Sequence, residues 1–291
     1  MSTRLIVSGA LGLALLAGCA AAPSGTGGSA APAPSITATT VNDKRREREA
    51  VIADCMKRKG FKYVAISTPR VQAEVSKRAD NGDYEAMKEI RAKLGLQIFS
   101  VWVYPNELPG GQKVMPAEAN PNVAIRDSLS AAQAESYDQA KEACFVTAVR
   151  EVFGISVKSQ LAYYELMDKE TQRINAQVDG DARFVELAAA YAECLKGKGY
   201  PIRRTKPSEL TSWVWEHFSP EYDALIAEYG DPKDPSKFPQ VPPAVARPLL
   251  DKEIKVAMDD LECGKDFFAA FNPVYNGLYA VILDKYGLVR V

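Results

Sequence analysis

The nine residues ADCMKRKGF at positions 53–61 return in a closely similar form as AECLKGKGY at positions 192–200. The two stretches share the pattern A-[DE]-C-[ML]-K-x-K-G-[FY], in which eight of nine positions are identical or similar. Because the chain has only five cysteines, a match that includes one indicates an internal repeat. Each copy is typical of a helix that ends in basic residues and a glycine, followed by an aromatic residue that leaves in an extended direction.

In the rest of the chain, hydrophobic periodicity predicts a mainly α fold with a few short extended segments. We expect two related helical units, residues 42–178 and 179–291, each holding one disulfide. The clearest helix starts at Ser130, where the side chains of Ser130 and Gln133 have the spacing of a capping box. Residues 96–104 (LQIFSVWVY) are the strongest strand candidate, because they are rich in β-branched and aromatic side chains.

Two prolines late in the chain are expected to mark helix boundaries. Pro220 is expected to begin a helix that ends at Gly230, and the pair Asn272-Pro273 is expected to interrupt the last helical stretch. Shorter extended pieces are expected at residues 61–66 and 200–202.

The N-terminal residues predict export. Arg4 precedes an apolar run from Leu5 to Leu16, and small residues follow, which is the layout of a secretory signal peptide over residues 1–18. The sequence LAGC, which ends at Cys19, resembles the bacterial lipobox, in which the cysteine sulfur receives a diacylglycerol. An ordinary cleaved signal peptide is the alternative. The apolar run is shorter than the roughly 20 residues that a transmembrane helix needs.

Residues 19–41 carry the predicted lipidated Cys19 and a stretch dominated by Ala, Gly, Ser, Pro and Thr. This composition has little to bury, so we expect a flexible tether between the lipid and the folded body. The formal net charge is -1, which gives no general attraction to nucleic acid or to acidic lipid. The two acyl chains must therefore hold the protein at the extracytoplasmic face of the cell membrane.

The four remaining cysteines are Cys55, Cys144, Cys194 and Cys263. An even number in an exported chain favours two disulfides. A metal site is a weaker interpretation because the sequence has no CxxC pair and only one histidine, and free thiols are a third. No cofactor is expected.

Four cysteines allow three pairings. The repeat favours Cys55–Cys144 with Cys194–Cys263, because equivalent halves should close equivalent loops. The pairing Cys55–Cys194 with Cys144–Cys263 also respects the repeat and would join the two halves.

Three features together resemble a group of exported lipoproteins common in actinobacteria. They are the lipobox, the start CMKRKGFKY at residues 55–63, and the run Asn120-Pro121-Asn122 followed by Leu129, Ser130 and Tyr137 ahead of Cys144. The resemblance covers roughly residues 50–150, and the second half lacks a counterpart of the Asn-Pro-Asn run. The resemblance implies an exported compartment and disulfides, and it implies no particular enzymatic activity.

Candidate catalytic residues are few. His217 is the single histidine and could act as a base with Glu216 or Glu221, although a histidine among aromatic residues is more typical of packing. Asp259, Asp260 and Glu262 are candidates for a glycosidase-like pair on a helix face, although a solvated charged face is the favoured interpretation. The motifs HExxH and GxSxG and a glycine-rich phosphate loop are absent from the sequence.

The three tryptophans, Trp102, Trp213 and Trp215, could stack on sugar rings of the cell wall, although core packing is the usual role of tryptophan. The sequence therefore predicts a non-enzymatic surface lipoprotein that binds a partner protein, a cell-wall polymer or a small ligand. The alternatives are a carboxylate-based cell-envelope hydrolase and a solute-capture lipoprotein that serves a transporter.

Overall fold

Twelve helices make up the part of the chain described by a computed structural model, namely residues 38–67, 72–107, 120–231 and 238–288, and this part contains no strand. In chain order they are α1 (Ala38–Arg58), α2 (Glu74–Asp80), α3 (Tyr84–Leu94), α4 (Ser100–Val103), α5 (Pro121–Asp127), α6 (Ala131–Phe153), α7 (Gln160–Asp179), α8 (Ala182–Gly197), α9 (Pro207–Leu210), α10 (Trp213–Tyr229), α11 (Pro243–Cys263) and α12 (Lys265–Lys285). The predicted mainly α fold is confirmed.

The first helix begins at Ala38, so residues 38–41 of the predicted tether are helical. Cys19 and the predicted signal peptide lie outside the described residues. The predicted capping box is confirmed at the start of α6, where Ser130 and Gln133 cap one another.

Both copies of the repeat fold into the same helix C-terminus. In each copy the glycine N–H donates to the carbonyl three residues earlier, and the following aromatic N–H donates to the carbonyl five residues earlier, at 2.9–3.1 Å. Gly60 and Gly199 adopt φ angles of 84° and 92°, which L side chains rarely adopt. This is the Schellman motif, so the sequence repeat is also a structural one.

The predicted disulfides are confirmed. Cys55 on α1 bonds Cys144 on α6, and Cys194 on α8 bonds Cys263 on α11, with Cα–Cα distances of 5.6 and 5.5 Å. Each bond joins a repeat helix to a later helix of the same half of the sequence.

The two hydrophobic cores draw on both halves of the sequence. The larger core lies among α8, α10, α11 and the first part of α12, and it includes Met87, Phe99 and Trp102 from the first half. The smaller core lies among α1, α6 and α7, and it includes Ile282 and Tyr286 at the end of the chain. The described residues belong to one compact unit, Ile36–Val291.

The strand predicted over residues 96–104 is wrong: this stretch is a turn followed by the single-turn helix α4. The backbone N–H groups of this stretch donate to a side chain and not to a neighbouring strand. The N–H groups of Ile98 and Phe99 donate to the buried carboxylate of Glu253 at 3.0 and 2.9 Å, and the N–H of Leu96 donates to the same carboxylate. The N–H groups of a strand are normally accepted by a neighbouring strand, and here the Glu253 carboxylate accepts them instead.

The helix boundaries predicted at prolines are also wrong, because α10 continues through Pro220 and α12 continues through Pro273. A proline inside a helix leaves the carbonyl four residues earlier without its N–H partner. In α10 the hydroxyl of Ser219 donates to that carbonyl, Glu216 O, at 3.1 Å. Packing on the larger core holds both helices together across the proline.

The Asn-Pro-Asn run holds the segment that follows the first repeat. Asn120 caps α5, and Asn122 forms two hydrogen bonds of 2.8 Å with the N–H and the carbonyl of Val64. Residues 61–66 are therefore neither helix nor strand, and an asparagine side chain pairs with their backbone.

Candidate functional site

The three carboxylates considered as candidates for a catalytic pair have separate partners. Asp259 accepts hydrogen bonds from Lys198 Nζ and the Tyr200 hydroxyl, both at 2.6 Å. Glu262 accepts a hydrogen bond from the Tyr84 hydroxyl. Asp260 points into the protein interior, where it is 2% exposed, so the solvated charged face is also wrong for this residue.

Asp260 is the centre of a buried polar network. One carboxylate oxygen accepts hydrogen bonds from the Tyr191 hydroxyl and from Trp213 Nε1, and the other lies 2.5 Å from Arg91 Nη1. The same Arg91 nitrogen donates to the carbonyl of Ala257 at 3.0 Å. Every charged group here has partners, as buried charges require.

The network also affects the pKa of one of its members, Tyr191. Burial raises the pKa of the Tyr191 hydroxyl, and the Asp260 carboxylate raises it further, so Tyr191 stays a donor. The partners of Asp259 act in the opposite direction, because Lys198 and then Tyr200 lower the pKa of that carboxyl. Asp259 is therefore an ionised acceptor in a structural contact and has no proton to transfer to a substrate.

A cleft of about 270 Å³ opens to solvent above Trp213. Its walls come from the segment that follows the second repeat, from α9 and from the first turns of α10. The lining residues are Pro201, Ile202, Arg203, Arg204, Glu209, Trp213, Glu216 and His217.

The second repeat positions this cleft. The Schellman turn at Gly199 ends α8 and directs Tyr200 toward α10, where its ring centroid lies 5.0 Å from that of Trp213. The hydroxyl of Tyr200 holds Asp259 on α11. The chain then passes along the mouth of the cleft as Pro201–Arg204, so a local helix stop places the cleft wall.

Most charges in and beside the cleft are paired. Arg204 forms an ion pair of 2.9 Å with Glu216, and Lys206 forms one of 3.2 Å with Glu209. Arg203 is exposed and has no hydrogen bond or ion pair with the described part of the chain. The cleft therefore offers one unpaired guanidinium next to an aromatic floor.

His217 lies in an aromatic cluster at the edge of the cleft. Its ring centroid lies 6.0 Å from those of Tyr200 and Trp213 and 4.9 Å from that of Phe218. Neither Glu216 nor Glu221 is hydrogen-bonded to it within the described residues, so the candidate base has no carboxylate to orient it. Its exposed edge can still donate to a ligand.

The tryptophans divide between core and surface. Trp102 and Trp213 are buried, which confirms the packing role for both. Trp215 is 47% exposed and its ring centroid lies 5.0 Å from that of Tyr222. Trp215 is absent from the lining of the cleft, so the three rings do not form one sugar-binding surface.

A second cavity, of about 230 Å³, lies among α2, α3 and α12. Its charged groups are already engaged: Asp80 accepts from Gln72 Nε2 at 2.6 Å, and Arg91 belongs to the buried network. For this reason the cleft at Arg203 is the better candidate site.

All four cysteines of the folded body are in disulfides, and no group of three metal-binding side chains occurs among the described residues. Within the same residues, every helix falls short of the length and apolar character needed to span a bilayer. Comparison of the chain with protein-family models, curated proteins and solved structures finds no match. The resemblance to exported actinobacterial lipoproteins therefore stays a prediction.

Sequence reasoning missed Arg203 and Arg91. Arg203 follows the repeat within an ordinary basic segment, and nothing in the sequence separates it from the paired Arg204 beside it. Arg91 lies in a helix whose many charged residues are typical of a solvent-exposed helix. The position of the second repeat was the one available signal, because the cleft wall directly follows it.

Proposed function

We propose that this protein is a lipid-anchored binding module at the extracytoplasmic face of the cell membrane, without catalytic activity. The anchor is the predicted lipid on Cys19. The predicted tether runs from residue 20 to residue 37 ahead of α1, and a flexible chain of this length spans ~20–25 Å on average. The folded body would thus stand just clear of the lipid headgroups, with its cleft accessible to envelope components.

One observation carries the binding role: the carboxylates and the histidine that could perform hydrolysis are engaged in packing or structural contacts, whereas the cleft keeps an unpaired arginine. Asp260 is buried in its network and Asp259 is held by Lys198 and Tyr200. A glycosidase needs two carboxyl groups that face one substrate bond from solvent. This arrangement favours binding over the alternative of an envelope hydrolase.

The chemistry of the cleft indicates the kind of ligand group. Arg203 offers a planar set of donors that suits a carboxylate or a phosphate, and His217 adds a donor at the cleft edge. Trp213 and Ile202 offer apolar surface. A cleft of about 270 Å³ suits one small group, such as the carboxylate end of a peptide or of a wall polymer.

The anchor is tested in a bacterial host by metabolic labelling with a fatty acid. The wild-type chain should incorporate the label and fractionate with membranes, while Cys19→Ala should remain unlabelled. Formation of both disulfides in the variant is the control for folding. Failure of the wild type to take up label would contradict the anchor and leave the cleft unaffected.

The cleft is tested by NMR titration with benzoate, a carboxylate on an apolar ring, and with uncharged benzamide as the control ligand. Benzoate should shift the indole N–H resonance of Trp213, and benzamide should not. Arg203→Gln should weaken benzoate binding about tenfold by removing a charge-assisted hydrogen bond. Arg183→Gln, at an exposed arginine outside the cleft, is the matched control. Equal effects of the two variants would contradict this site.

A further inference from the structure

The two disulfides occupy different environments although the repeat makes them equivalent in sequence. Cys55 and Cys144 are buried in the smaller core, 7% and 0% exposed. Cys194 is exposed on α8, and Cys263 is partly exposed at the last position of α11. A thiol in solution can reach the second bond directly, whereas the first requires the protein to open.

Cys194 also supports the turn from which the cleft wall leaves. Its carbonyl accepts the N–H of Lys198 at 3.1 Å, inside the Schellman turn that ends α8. Residues 201–204 of the cleft wall follow directly. The disulfide to Cys263 fixes this last turn of α8 against α11, together with the contacts of Lys198 and Tyr200 to Asp259.

We infer that Cys194–Cys263 is a thiol–disulfide exchange site for an external dithiol, and that its opening loosens the wall of the cleft. The buried Cys55–Cys144 bond remains closed under the same conditions and stabilises the fold. This inference concerns the cleft as a structure and holds whether or not the cleft binds an anionic group.

The exchange proceeds in two balanced steps. A thiolate of the dithiol attacks Sγ of the exposed Cys194, the Cys194–Cys263 bond breaks, and Cys263 leaves as a thiolate that takes a proton from water. The second thiol of the reagent then attacks the mixed disulfide and releases Cys194. The dithiol is oxidised to a disulfide while the protein gains two electrons and two protons.

The test uses the full wild-type chain and dithiothreitol under native conditions, with timed alkylation and peptide mapping. Cys194 and Cys263 should be labelled at least about tenfold faster than Cys55 and Cys144, because a buried bond reacts only during transient opening. In urea the two bonds should be reduced at similar rates. Equal rates under native conditions, or a difference that persists in urea, would overturn the inference.

Hydrogen exchange on the selectively reduced protein tests the coupling to the cleft. The amides of Lys198, Gly199 and Tyr200 should exchange faster after reduction. The equivalent amides of the first repeat, Lys59 to Phe61, are an internal control and should be unchanged because their disulfide remains closed. Unchanged exchange at residues 198–200 would show that the exposed bond does not hold the cleft wall.

Discussion

The guanidinium of Arg91 and the carboxylate of Asp260 form a buried ion pair between α3 and α11, with side chains 8% and 3% exposed. The pair joins a helix of the first half to the disulfide-bonded helix of the second. Two neutral donors, Tyr191 and Trp213, complete the hydrogen bonding of the carboxylate. Such a pair adds little or no net stability over a well-packed apolar pair, but losing one member leaves a buried charge.

Arg91→Met should lower the free energy of unfolding by about 3–5 kcal/mol, because it leaves the Asp260 carboxylate without its counter-charge. The measurement is urea denaturation followed by circular dichroism. Arg91→Met combined with Asp260→Leu should recover part of that loss, since neither charge is then buried alone.

The matched control is the exposed pair Arg126–Asp138, whose Nη2–Oδ2 distance is 2.7 Å. Arg126→Met should lower the free energy of unfolding by under about 1 kcal/mol, because water solvates the remaining aspartate. Similar losses for Arg91→Met and Arg126→Met would contradict the role given to the buried pair.

Glu253→Gln should lower the free energy of unfolding by about 1–3 kcal/mol at pH 7. The reason is that Glu253 accepts backbone N–H groups on both carboxylate oxygens, and the amide nitrogen of glutamine would face one of these donors. Urea denaturation measures the loss. Glu151→Gln, at an exposed glutamate on α6, should change the value by under about 0.5 kcal/mol.

The effect of Glu253 on stability should also depend on pH. Burial raises the pKa of the Glu253 carboxyl, although the N–H groups of residues 96–99 oppose the shift. Between the ordinary pKa of the unfolded chain, about 4.3, and the raised pKa, the folded state holds a proton that the unfolded state releases. The advantage of the wild type over Glu253→Gln should therefore be greatest below about pH 4 and decline as the pH rises through the folded pKa. An advantage that grows with pH would contradict the shift.

Gly82→Ala should lower the free energy of unfolding by about 2–4 kcal/mol. Gly82 has a φ of 78°, and a Cβ there would lie 2.4 Å from the carbonyl oxygen of Phe268 on α12. Gly277→Ala, in the middle of α12 with open space around it, should instead raise stability by about 0.5–1 kcal/mol through helix propensity. Thermal unfolding of the two variants should show shifts of opposite sign, and shifts of the same sign would contradict the packing of Gly82 on α12.

Replacing both cysteines of either disulfide by alanine should cost about 4–5 kcal/mol in the chain-entropy account, because each bond closes a long loop. The sequence separations are 89 for Cys55–Cys144 and 69 for Cys194–Cys263, so the entropy terms are nearly equal. Replacing Cys55 and Cys144 should still lower the free energy of unfolding more, because their sulfurs also pack in a core. Differential scanning calorimetry measures both, and a larger loss for Cys194 with Cys263 would contradict this ranking.

Features that depend on neighbours in sequence were predictable. The Schellman turns at Gly60 and Gly199 and the capping box at Ser130 arise from hydrogen bonds that span five residues or fewer. The disulfide pairing was also predictable, because two copies of one motif in a chain predicted to be exported favour equivalent bonds. For the turns and the capping box, the local backbone geometry is fixed by the residues themselves.

Features that depend on distant partners were decided by the tertiary structure. Residues 96–104 have the composition of a strand, but Glu253, more than 150 residues later, takes their N–H groups. The sequence around Arg91 is typical of a surface charge, but in the fold Arg91 pairs with buried Asp260. Arg203 and Arg204 are alike in sequence, and the fold brings Glu216 to Arg204 alone. The sequence alone determined the two glycine helix stops of the repeat and favoured the observed cysteine pairing. Packing determined which polar groups were buried, because a buried donor or charge is stable only beside a partner that the fold brings to it.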